Sequence, residues 1–239
     1  MSLTPLPEQG RPVVMGSMCA GSVRCYAAML RSQLVTVDSA QTRLPLRHSH
    51  HRYIIEGPNG VQTLTVPLEG ATNAMHVPMS QVRISEHGRW RQLHWGALFS
   101  AYGKSPYFDY IADDLHRIIM GRQQLLLDFN TQLHNLVVDF LDLPLLTRAM
   151  AVEEGGVPAG HADLRRAIGG KRPDGLDIAN VPYYQLWAQR CGGFAENLSI
   201  LDMLMNVGRE AVLYLSKMSK IGPTELKDIN ALHFAPQKH

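Results

Sequence analysis

The chain has 239 residues, with 23 Lys+Arg against 21 Asp+Glu, 45% hydrophobic and 18% charged side chains. That composition supports a sizeable buried core and excludes intrinsic disorder. The net charge of +2 hides a split: residues 1–100 carry nine arginines, no lysine and five acids (+4), and the remainder 14 basic and 16 acidic groups (−2).

An Arg-only front half suits planar or tetrahedral oxyanions. No dense basic stripe interleaved with aromatics is present, so no nucleic acid is expected as a partner. Cys19, Cys25 and Cys191 show no CxxC spacing. They argue against a disulfide framework or structural zinc and for a reducing, cytoplasmic compartment. The uncharged run from Pro12 to Val23 is too short for a membrane span.

Along the chain, residues 1–11 read as an N-terminal arm. Val13-Val14-Met15 reads as a short strand ending in the loop Gly16-Ser17-Met18-Cys19-Ala20-Gly21-Ser22. A helix from Ser22 and a strand at Leu34–Asp38 complete a β-loop-α-β unit, whose strands pair in parallel by default. Ligands of such units gather at the carboxyl ends of the strands, where the loop and Asp38 would both lie. Tyr53–Glu56 and Val61–Leu68 flank Gly57-Pro58-Asn59-Gly60, a hairpin signal. Gln81–Ser85 reads as another strand. Trp90, Leu93, His94, Ala97 and Leu98 share a helical face closed by Gly103. Tyr107–Met120 is a second helical segment, and the stripe from Leu126 to Leu141 a third, stopping before Pro144. Leu145 and Leu146 begin a short strand. Residues 151–180 form a long Gly-rich surface loop with one short helix at Ala162–Ile168. Ser199-Ile200-Leu201-Asp202 reads as a capping box opening a helix that ends near Gly208. Ala211–Met218 is the last helix, and 223–239 a tail.

The fold class expected is α/β: a small mixed sheet, β-loop-α-β plus hairpin, covered by a predominantly helical C-terminal half. A compact α+β arrangement is the alternative. Residues 1–222 form a single domain.

Among candidate chemical groups, His48-Ser49-His50-His51-Arg52 is the most conspicuous. Two histidines at i, i+2 lack a third ligand, so no metal is expected. Arg52 with a neighbouring histidine instead suits a phosphate or carboxylate. Cys19 reads as a small buried hydrophobe, and Lys171-Arg172 as a solvated loop without phosphate-loop spacing. Arg89 and Arg91 read as surface groups at a helix start.

Three segments resemble the WbqC-like family of bacterial proteins. The first is Trp90-x-x-x-His94-Trp95 with Ser100-Ala101-Tyr102-Gly103-Lys104-Ser105-Pro106-Tyr107-Phe108 and Asp113-Asp114. The second is Val181-Pro182-Tyr183-Tyr184-Gln185, Gly193-Phe194, and Asn197 through Asn206 to Gly208. The third is Arg52 through the hairpin turn to Val66-Pro67-Leu68. The family's His-Gln-Pro-like motif after the first strand is replaced here by Ser17-Met18-Cys19-Ala20-Gly21-Ser22, so no histidine role carries over there. The chain resembles the family's short branch.

The resemblance implies group transfer, acyl or aminoacyl, to an activated or phosphorylated amino sugar in surface-polysaccharide synthesis. On that reading His94 or Tyr107 handles a proton and Arg52 binds an oxyanion. Asp38, Tyr184, Gln185 and Asn197 hold polar substrate groups. The partner would be an anionic or sugar small molecule; the cofactor is unknown, and a homodimer is compatible. A non-catalytic ligand-binding or scaffold protein of a glycan pathway is the rival reading.

Overall fold

A computed structural model describes residues 5–32, 34–41, 50–70, 77–152, 156–165, 167 and 176–221. The expected α/β class is what it shows. Strand β1 (Val13–Met15), helix α1 (Val23–Leu30) and strand β2 (Leu34–Asp38) form the unit expected from the sequence, with Val13 opposite Val35 in a parallel ladder. Ser22 caps α1, its hydroxyl accepting from the Cys25 N–H. Strands β3 (Arg52–Gly57) and β4 (Gly60–Thr65) form the antiparallel hairpin, with Pro58 and Asn59 in the turn and Gly60 at φ +101°. The hairpin does not extend the first sheet; it stands as a separate two-stranded one.

Helices α2 (Trp90–Tyr102), α3 (Phe108–Ile119) and α4 (Leu126–Leu141) follow the three apolar periodicities. Strand β5 (Leu146–Met150) then returns to pair in parallel with β2, and β6 (Ala162–Asp163) pairs with β1. The order β5-β2-β1-β6 gives a four-stranded parallel sheet. A short helix α5 (Ala188–Cys191) precedes α6 (Ile200–Val207) and α7 (Ala211–Ser219). All eight residues of α6 are buried, because it packs against α1, α2, α3, α7 and the hairpin strand β3. Its two polar side chains, Asp202 and Asn206, are buried with the rest and hydrogen-bonded. No helix among the described residues is long and apolar enough to cross a membrane.

Four expectations are corrected. Residues 79–81 form one 3₁₀ turn, and Arg83 and Ile84 make only isolated bridges to Leu125 and Leu68, so Gln81–Ser85 is not a strand. Leu93 is 69% exposed, and the buried face of α2 runs instead through Trp90, His94, Leu98 and Ala101. Ala162–Asp163 is a strand rather than the start of a helix, since it closes the open edge of β1. Arg91 is buried. Its guanidinium pairs with Glu86 at 2.6 Å and donates to the Ile119 carbonyl, tying the start of α2 to the end of α3.

Gly208 ends α6 at φ +57°, ψ −136°, a region that nearly every other residue avoids. A Cβ there would sit 2.4 Å from the Tyr107 ring. Gly208→Ala should therefore destabilise the fold by about 2 kcal/mol or more, from backbone strain plus the displaced ring. Urea denaturation of the two proteins checks this.

Candidate functional site

The loop from Gly16 to Gly21 leaves the carboxyl end of β1 and is buried throughout. A buried loop has to find partners for its polar groups, and here they come from three distant segments. His50 Nδ1–H donates to the Ser17 carbonyl (2.6 Å), and Asn130 Nδ2 on α4 donates to the Ser17 hydroxyl (2.8 Å). The Ser199 hydroxyl donates to the Ala20 carbonyl (2.8 Å), and the Ile200 N–H to that of Gly21. The Ser199 N–H in turn donates to the Ile54 carbonyl of β3. Gly16 itself has no room for a side chain: an added Cβ would lie 2.6 Å from both Gln41 Oε1 and His50 Cε1.

Asp38, at the end of β2, is 1% exposed and fully engaged. Its Oδ1 accepts from the Ala40 and Val152 N–H groups, and its Oδ2 pairs with Arg165 Nη1 at 2.9 Å. Arg165 also pairs with Asp163 of β6. The carboxylate therefore ties the ends of three strands together and is not presented to a ligand, against expectation. Arg165 carried no sequence signal, being one arginine in a Gly-rich stretch.

His94 is committed on both sides. Its Nε2–H donates to the Thr65 carbonyl (3.1 Å), which leaves Nδ1 to accept from the Tyr53 hydroxyl (3.1 Å). Burial, with a smaller contribution from the Arg91 charge, lowers its pKa to about 4. It bonds α2 to the hairpin and offers no free ring nitrogen. Tyr107 lies at the other end of α6: its N–H donates to the Met205 carbonyl and its ring covers Gly208, whereas the loop meets α6 at Ile200. From Ile200 those contacts lie five residues (Met205) and eight residues (Gly208) along the helix, about 8 and 12 Å. The two expected proton carriers are not brought to the strand ends.

Gln185 is buried beside Asp202 of α6. Its amide donates to the Ala195 carbonyl (2.9 Å) and to Asp202 Oδ2 (3.2 Å), and its Oε1 accepts from the Ala195 N–H. Asp202 also accepts from the Tyr102 hydroxyl at Oδ1 and the Tyr183 hydroxyl at Oδ2, both at 2.7 Å. Ser199 caps α6 as expected, through the Leu201 N–H. Asp202, however, does not reach back as a capping box requires; it is the buried acceptor of two tyrosines and an amide. Burial raises its pKa, while those hydrogen bonds oppose the rise. Glu56 of β3 is 2% exposed, and burial and then the Asp202 charge raise it too. Tyr184 is 54% exposed and Asn197 buried at φ +55°. Arg52 opens β3, two residues beyond His50.

Cys19 is a small buried hydrophobe, its thiol pushed up by burial. The His48-Ser49 part of the histidine cluster and Lys171-Arg172 lie outside the described residues. No group of three metal-ligating side chains occurs among the described ones.

A cavity of about 150 Å³ opens beside the loop, between α1, α4, β2 and β5. Its polar lining includes Tyr26, Asn130, His134 and Thr147. His134 Nδ1 meets the Tyr26 hydroxyl at 3.1 Å and Nε2 the Thr147 hydroxyl at 2.9 Å, and burial lowers its pKa to about 4. Sequence reasoning passed over His134 because it sits on the flank of the α4 stripe, next to Leu133.

With this geometry in hand, the comparisons are specific. The WbqC-like protein family profile matches residues 29–165. The chain belongs to the WbqC-like family. A mycobacterial relative, the uncharacterized protein Rv1507c of Mycobacterium tuberculosis, is 26% identical over 191 residues, covering 71% of this chain and 82% of the relative. No solved structure matches. The profile spans the hairpin, α4 and β5, and leaves the Gly16–Gly21 loop and helix α6 outside the matched residues.

Unfolded histidine takes a proton near pH 6.5, but His94 and His134 in the fold do so only near 4, so the folded state binds fewer protons between these values. Their contribution to stability should be present above pH 6.5 and lost as pH falls towards 4. In a proton-NMR titration both ring signals should stay at neutral-imidazole positions down to pH 5. Separately, Asp202→Ala leaves two hydroxyls and one amide without their acceptor and should cost about 3 kcal/mol or more in urea denaturation.

Proposed function

We propose that the chain is a transferase of bacterial surface-polysaccharide synthesis, moving an acyl or aminoacyl group onto an activated or phosphorylated amino sugar. The observation that carries this reading is the sealed loop at the carboxyl ends of a parallel sheet with a cavity beside it, the position where α/β folds take ligands. The same class is what the resemblance to the WbqC-like family implies.

Arg52, two residues beyond His50 on β3, is the guanidinium assigned to the phosphate of the sugar, in keeping with the Arg-only basic half. Tyr184, exposed, and Asn197, two residues before Ser199, are assigned polar contacts with the substrate. Asp38, His94 and Gln185 act indirectly, by holding the strand ends, the hairpin and the 183–195 segment in place. The site works in a cytoplasmic setting, where nucleotide-linked sugars are available.

The rival, a binding protein without catalysis, is favoured by one observation: His94 and Asp38, two of the side chains expected to act on substrate, are committed to hydrogen bonds within the protein.

A thermal-shift screen of nucleotide sugars, acyl thioesters and nucleoside triphosphates separates the two. The transferase reading expects stabilisation by one donor and one acceptor, with the response to the anionic member reduced about tenfold in affinity by Arg52→Ala. Stabilisation by a sugar alone, with no turnover in the presence of any donor, selects the binding protein.

A further inference from the structure

One surface loop touches two buried carboxylates. It runs from Leu186 to Phe194, and Gln185 and Ala195 pin its ends together. The Gln185 amide donates to the Ala195 carbonyl (2.9 Å), and its Oε1 accepts from the Ala195 N–H (2.8 Å). A closed neck of this kind makes an Ω-loop. The same amide donates to Asp202 Oδ2 (3.2 Å), so the neck rests on one carboxylate. At the other end the Cys191 thiol meets the Gly57 carbonyl (3.5 Å) and lies against Glu56, so the tip rests on the second.

The loop is lightly held. No residue from 186 to 194 is buried. Beyond the neck, the Leu186 N–H donates to Asn206 Oδ1 (3.1 Å) and Trp187 Nε1–H to the Ala101 carbonyl (2.7 Å). The Phe194 and Tyr183 rings meet edge-on at 5.2 Å. The chain turns back at Gly192 and Gly193, at φ +90° and +132°. A segment with few buried apolar contacts is one that opens at low free energy while the rest of the fold stays closed.

What the loop covers is costly to charge. Glu56 is 2% exposed, and its Oε2 is buried without a hydrogen-bond partner. Strand β4 and helices α2 and α6 pack against β3. From β4, Val61 stands opposite Glu56. From α2, the Tyr102 hydroxyl accepts from the Glu56 N–H (3.4 Å) and donates to Asp202 of α6 (2.7 Å). The 183–195 segment contributes Tyr183 and the Cys191 thiol. None of these groups is a cation, and neither carboxylate is in an ion pair among the described residues. On the loop itself Arg190 is exposed, and Glu196 beyond the neck pairs with Arg24 (3.8 Å). Burial, and then the Asp202 charge, raise the Glu56 pKa, with the Cys191 thiol opposing.

We propose that the 186–194 loop is a proton-linked flap, closed over Glu56 while that carboxyl group carries its proton and released from the hairpin when Glu56 ionises. Glu56 binds its proton more tightly when covered than in water. Closure is therefore fully favoured below the ordinary carboxylate range and is lost as pH rises through the raised value. The flap does not rest on the transferase reading.

Amide hydrogen exchange of the full chain, followed by mass spectrometry from pH 5 to pH 8, tests this. Each rate is divided by its intrinsic rate at the same pH, so that only protection is compared. His94 and His134 take their protons near 4, outside this range. Protection of the 186–195 peptide should fall about tenfold or more across the range, since one proton gives at most about tenfold per pH unit. Protection of α4 should not fall in step. Glu56→Gln keeps the shape and removes the charge, so its loop should keep the protection seen at pH 5 throughout. Flat loop protection in the parent protein overturns the proposal, and so does a loss shared equally with α4. A folded Glu56→Gln protein that loses loop protection as the parent does also overturns it. Should Glu56→Gln fail to fold, the parent's loop measured against α4 decides alone.

Discussion

Everything at the strand ends depends on one constraint: the six residues from Gly16 to Gly21 run through the interior without regular secondary structure. Each buried carbonyl there has to be met by a donor from elsewhere, or the loop would cost several kcal/mol in unpaired groups. His50 meets the Ser17 carbonyl from the approach to the hairpin, Ser199 and Ile200 meet those of Ala20 and Gly21 from the start of α6, and Asn130 of α4 donates to the Ser17 hydroxyl. The loop thereby fixes how the parallel sheet, the hairpin and the central helix sit against one another. Gly16, pressed by Gln41 and His50, is glycine because backbone and side chains meet there at contact distance.

Two buried carboxylates extend the same logic. Asp38 binds the ends of β2, β5 and β6 through two backbone N–H groups and Arg165, while Asp202 gathers Tyr102, Tyr183 and Gln185 around the first turn of α6. Side chains that look reactive on paper are thus spent on holding segments distant in sequence. Asp202 and Tyr102 are a hundred residues apart. What lies beside the strand ends is a cavity of about 150 Å³ with Tyr26, Asn130, His134 and Thr147 in its lining.

The helices and the first strands were legible because their signals are local. Trp90–Tyr102, Phe108–Ile119 and Leu126–Leu141 follow the 3.6-residue period closely, and Ser22 and Ser199 act as caps through their own neighbours. Gln81–Ser85 failed as a strand because alternation does not say whether a partner strand is there to pair with. Ala162–Asp163 became a strand for the opposite reason: β1 had an open edge. His94 was read as a proton carrier from its residue type alone; both its partners, Tyr53 and Thr65, come from the hairpin. His134 and Asn130 were missed because neither stands in a motif, and only the return of β5 beside β2 turns that face of α4 into a cavity wall.

The sequence by itself determined the α/β class, the parallel β-loop-α-β opening, the hairpin and the kinship with the WbqC-like family, all of which rest on periodicity, capping and residue strings read over short windows. Tertiary structure alone decided which polar groups are spent and which are available. That division follows from hydrogen bonding: a side chain's chemistry is set by residue type, but whether its atoms are already paired depends on groups that the chain brings back from a hundred residues away.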